Sequence, residues 1–88
     1  MSGMHAVKDI KFTREFVSDL SREEIVSGIK DQFIDFEVVD AQCSKPLPSI
    51  GGGRDGFERY ELTVVIKTNQ LGMAKIALFA DSNRWKRA

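Results

Sequence analysis

One segment limits the fold more than any other. In "YELTVVIKT", Tyr60, Leu62, Val64 and Ile66 alternate with Glu61, Thr63, Val65 and Lys67. Period-two alternation with β-branched residues predicts a strand with one buried and one wet face. Such a strand needs a second layer on its apolar side. The chain supplies one in "DLSREEIVSGIKDQF", where Ile25, Val26, Ile29 and Phe33 recur at helical spacing. Ser21 followed three residues later by Glu24 has the spacing of a capping box. Leu20 precedes the cap as a possible staple onto Ile25, and Glu23 and Glu24 suit the positive end of the helix dipole. The spacing predicts a helix over Arg22–Phe33. Gly28 interrupts it at a cost of about 1 kcal/mol relative to alanine, and suggests close approach of another element.

Three further segments complete the expected sheet. Ala6–Phe16 has Ile10, Phe12 and Phe16 at strand parity and is expected to be a strand, although Phe12, Phe16 and Leu20 also share helical spacing. Phe36–Ser44 is apolar with imperfect alternation, which implies either cover on both faces or a bulge. Met73–Ala80, "MAKIALFA", follows the turn-forming "TNQLG" and is expected to pair with Phe57–Thr68 as an antiparallel hairpin. The order is β-α-β-β-β. The fold class is α+β, one main helix packed on a three- or four-stranded mostly antiparallel sheet. At 88 residues this is a single domain, residues 1–88, with one small core and modest stability.

The stretch "PSIGGGRDGFERY" holds four of the seven glycines, at positions 51, 52, 53 and 56. Gly51-x-Gly53-x-x-Gly56 has the letters of a dinucleotide fingerprint, but it leads into a strand, whereas phosphate cradles open a helix. The Lys-Ser/Thr of a Walker loop is missing. A nucleotide-binding enzyme is therefore excluded. Residues 45–56 are expected to form a flexible loop with Pro46 and Pro48 at its base. Arg54, Phe57 and Arg59 then make either a recognition arm or a bland hairpin tip.

Residues 81–88, "DSNRWKRA", form a basic tail. Arg84, Trp85, Lys86 and Arg87 suit a partner interface, with the ring as anchor and the charges snorkelling outward. They also suit single-stranded nucleic acid, with bases stacked on the indole. A third reading places Trp85 in the chain's own core.

Net charge is zero, but Glu15–Asp40 holds eight acids against two bases, a net of −6, and the remainder carries +6. Segregation of this kind favours association with a partner or a second copy. It can equally be the wet side of an amphipathic helix. An acidic helix bearing Glu23, Glu24, Asp31 and Asp35 would also suit a basic partner, including a nucleic-acid enzyme that it inhibits.

Catalytic groups are sparse. His5 and Cys43 are the sole histidine and cysteine, too few for a structural zinc site and without a third orienting group for a dyad. No calcium-loop pattern is present. No enzyme activity, cofactor, metal or small-molecule substrate is expected. The N-terminus lacks the pattern of a secretory signal, no apolar run spans a bilayer, and one cysteine fits a reducing compartment, so a cytoplasmic protein is expected. The function expected is a small non-enzymatic protein-interaction module that binds or modulates a partner protein and forms homo-oligomers, a dimer foremost. The alternative is a nucleic-acid binder using the Gly/Arg loop and the Arg-Trp-Lys-Arg tail, against which the zero net charge counts.

Overall fold

A computed structural model describes residues 7–48 and 56–88. The elements are β1 (Val7–Ser18), α1 (Arg22–Gln32), β2 (Glu37–Cys43), β3 (Glu58–Asn69), α2 (Gln70–Ser82) and β4 (Lys86–Arg87). The four strands form one sheet in the order β2-β3-β1-β4, with every neighbouring pair antiparallel. β1 and β2 therefore run parallel with β3 between them, and β3 and β4 run parallel with β1 between them. This is the interleaved connectivity of a split βαβ fold. The α+β class stands.

The element order is corrected from β-α-β-β-β to β-α-β-β-α-β. Met73–Ala80 is not a hairpin strand but the body of α2. The segment is rich in Ala, Leu, Met and Lys, the best helix formers, and Ile76 is its only β-branched residue. Asn69, expected in a turn, is the N-cap, and its Oδ1 accepts the Gly72 N–H at 3.0 Å. β3 consequently enters α2 with no connecting loop. Gly72 is needed there, because a Cβ would collide with the Thr68 hydroxyl. The fourth strand comes instead from the tail, where Lys86 and Arg87 pair with Thr13 and Phe12.

α1 matches its expected span and has the full capping box. Ser21 Oγ accepts the Glu24 N–H at 3.2 Å, and Glu24 Oε1 accepts the Ser21 N–H at 3.1 Å. The imperfect alternation of β2 is a bulge. The register with β3 shifts between Val38 and Asp40, leaving Val39 outside it. Val38 then faces the core opposite Ile66, and Ala41 and Cys43 do so opposite Val64 and Leu62.

Both helices cover the same sheet face. Ile10 and Phe12 of β1 and Tyr60, Leu62, Val64 and Ile66 of β3 meet Ile25, Ile29 and Phe33 from α1 and Ile76 and Ala80 from α2. Val64, Ile66, Phe33 and Ile76 are fully buried, each contributing about 1.5–3 kcal/mol of hydrophobic stabilisation. Phe33, the C-cap of α1, centres an aromatic cluster, with Phe79, Trp85 and Phe36 ring centroids at 4.9, 5.3 and 6.2 Å, all edge-to-face.

Candidate protein-interaction surface

The expected site residues divide among three places. Arg54 and the rest of the glycine tip, residues 49–55, lie outside the described residues, as does His5. Phe57 and Arg59 sit where β3 begins. Phe57 is 43% exposed. Arg59 lies opposite Val17, on the sheet face away from the helices. Its Nε is 3.3 Å from Glu15 Oε1, close enough for an ion pair but not aligned as a hydrogen bond. An exposed pair like this is worth about 0–1 kcal/mol. It offsets the repulsion of Glu15 and Glu61, which the register sets directly opposite each other.

The tail lies elsewhere. Lys86 is opposite Thr13, four residues along β1 from Val17, or about 13 Å at strand rise. The strands thus hold Arg59 and Lys86 apart. Arg84, Lys86 and Arg87 are exposed, whereas Trp85 is buried at 4% exposure. Its indole Nε1–H donates to Gln32 Oε1 at 3.3 Å, and Gln32 Nε2 donates to Asn83 Oδ1 at 3.3 Å. Trp85 N–H donates to Ala80 O at 2.8 Å, closing the end of α2. Arg84 makes this reversal in the left-handed region, at φ 66°. Trp85 therefore belongs to the chain's own core, and its ring does not stand ready to stack on a base.

On the open sheet face the central strands present Asp9, Lys11, Thr13, Glu15 and Val17 beside Arg59, Glu61, Thr63, Val65 and Lys67. None of these is aromatic, so among the described residues the central strands present no stacking platform of the kind sheet-type RNA binders use.

Two other surfaces stand out. α2 carries apolar side chains on its outside as well as its inside, with Lys75 and Asp81 among them. Leu71 and Leu78 are 68% and 69% exposed and, with exposed Ala74 between them, follow helical spacing along one stripe. The second is a groove of about 480 Å³ between α1 and the far half of β1, lined mainly by apolar side chains including Phe16, Leu20, Ile25 and Trp85. Gly28 lies on its wall, and outside its chain neighbours and its own helix backbone no described atom comes within 4 Å of where its Cβ would stand. The close approach expected of Gly28 is thus not made within the described chain. Arg14 lines the floor. Its Nη1 donates to Asn83 O at 3.1 Å, and its guanidinium lies over the Phe16 and Trp85 rings at 5.4 and 5.8 Å. The sequence reading passed over Arg14 and both surfaces. The signal for α2 was present in a thirteen-residue segment carrying one lysine and one aspartate.

Cys43 is buried, and burial pushes its thiol pKa up while the neighbouring Arg22 guanidinium pulls it down. Arg22 Nε and Nη2 both donate to the Cys43 carbonyl, at 3.2 and 2.9 Å. A buried thiol kept protonated is a packing residue, since the thiolate is the nucleophile. Among the described residues no group of three or more His, Cys, Asp or Glu side chains is placed to hold a metal ion. No helix of the described residues is long and apolar enough to cross a membrane. Searches of family models, curated proteins and solved structures find no match to this chain.

Proposed function

We propose that this chain is a small protein-interaction module that acts by binding a partner protein, does no chemistry of its own and is itself a homodimer. One observation carries the reading. Exposed apolar stripes of this kind mark interaction sites, and no described residue covers the one on α2. Its stripe of Leu71, Ala74 and Leu78 is the surface assigned to the second copy. Zero net charge supports self-association, because identical subunits then meet without overall repulsion. Phe57, Arg59, Arg84, Lys86 and Arg87 remain available for the partner.

The test is sedimentation across a concentration series. Dimerisation that rises with concentration and is lost in the Leu71→Lys/Leu78→Lys double variant, with an unchanged circular dichroism spectrum, supports the reading. A monomer at every concentration sinks the homodimer. An oligomer indifferent to the two lysines moves the interface off α2.

A further inference from the structure

β1 is much longer than the strand that covers its outer edge. Among the described residues β4 pairs only with Phe12 and Thr13, and the Ala88 N–H donates to Lys11 O at 3.0 Å. That bond fixes the phase of the edge. In an antiparallel pair alternate residues turn their main-chain groups to the same neighbour, so Lys11, Thr13, Glu15 and Val17 face this side. Glu15 and Val17 have no described strand beside them there. The groove beneath α1 opens along the same stretch, with Phe16 on its floor and Gly28 on its wall. An unpaired edge next to an apolar groove is the arrangement in which an extended peptide joins a sheet.

The occupant's charge is set by α1. Glu24 and Asp31 line the groove four residues before and three residues after Gly28. They stand about 10 Å apart along the helix, within reach of two basic side chains four residues apart on a strand, which span about 13 Å. Arg14, the one base among the described residues that line the groove, is tied to Asn83 O and two rings. A second copy is poorly suited to the place. Its β2, the outer strand at the other side of the described sheet, carries Glu37 and Asp40, and self-pairing through β1 would bring in Glu15.

We infer that the edge of β1 at Glu15 and Val17, with the groove under α1, takes up one extended segment of a partner protein as an added strand. The segment carries a bulky apolar side chain beside Gly28 and a basic residue two positions to each side. It deepens the binding role proposed above and is independent of the α2 dimer.

The experiment uses the whole chain and the blocked peptide TKTFTKT, followed by Trp85 fluorescence and by amide hydrogen exchange, with TETFTET as the counter-probe. The expected result is saturable binding that slows exchange of the Glu15 and Val17 amides by roughly tenfold or more, as new main-chain hydrogen bonds require. Asp31→Asn weakens binding by about three- to tenfold. Gly28→Leu, which improves helix propensity and so keeps the fold, costs about tenfold or more by filling the notch. Equal binding of the glutamate peptide overturns the charge assignment. Binding without protection of Glu15 and Val17 overturns strand addition, and absence of saturation overturns the site. Protection of both amides in the free protein, rising with its concentration, assigns the edge to a second copy instead. Sedimentation reports on α2 separately, so loss of the peptide site leaves the dimer reading standing, and the reverse also holds.

Discussion

Trp85→Ala is the substitution that most directly separates a core tryptophan from a surface anchor. The ring is 4% exposed, packs edge-to-face on Phe33 at 5.3 Å and carries the stacked Arg14 guanidinium at 5.8 Å. Removing a buried Trp or Phe side chain costs about 3–5 kcal/mol through lost transfer energy and the cavity left behind. The lost ring also leaves Gln32 Oε1 without its donor. Total stability for a chain of this length is about 4–13 kcal/mol, so the variant sits at the edge of unfolding. Urea titration followed by far-ultraviolet circular dichroism measures the effect without needing the tryptophan. With a slope of about 1 kcal/mol per molar urea, the midpoint should fall by about 3–5 M, and the least stable outcome is a chain unfolded in buffer. Trp85→Phe keeps most of the volume and should lose about 1–2 kcal/mol, mainly the hydrogen bond and part of the packing. A midpoint that moves by less than about 1 M in Trp85→Ala would refute the core placement and return the residue to the surface.

Gly28→Ala should raise stability by about 1 kcal/mol, since the new Cβ meets no described atom and alanine is the better helix former; a loss in the same titration would mean that something already packs there. Ser21→Ala and Asn69→Ala each remove a cap side chain that accepts a backbone N–H and should cost about 1 kcal/mol apiece, checked by the same midpoints. The Cys43 thiol should resist disulfide-exchange reagents in buffer and react freely in urea. Because its folded pKa is raised above the ordinary 9.0, the folded state holds its proton longer than the unfolded chain does. Its contribution is therefore complete below pH 9.0 and falls as pH rises through the folded value. Thermal midpoints across that range should decline in the native chain more than in Cys43→Ala.

Elements whose residues obey one period were readable in advance. β3 alternates strictly, and α1 combines a capping box with an apolar stripe, so both matched to within two residues. α2 obeyed two periods at once. Lys75, Ile76, Ala77 and Leu78 alternate as a strand would, while Met73, Ile76 and Ala80 share a helical face. Composition and the Asn69 cap decide the matter, because the strand reading left that asparagine as a mere turn residue. The site was less legible for a different reason. Trp85 and three bases within four residues look like a surface motif. Whether the ring turns inward depends on Gln32 and Phe33, some fifty residues earlier, and on an α2 that the alternation concealed. The groove is likewise a product of strand lengths: β1 outruns β4, and no local pattern at Glu15 or Val17 records that mismatch.

The pairing of Ala88 with Lys11 has a practical consequence. β1 starts and β4 finishes at the same end of the sheet, on adjacent strands, with Val7 only four residues beyond the Lys11 position. The groove under α1 lies at the other end, around Phe16 and Leu20. A fluorophore or bead attached through a cysteine at Val7 or Arg87 would therefore sit away from the groove, leaving the Glu15 and Val17 edge open to a peptide.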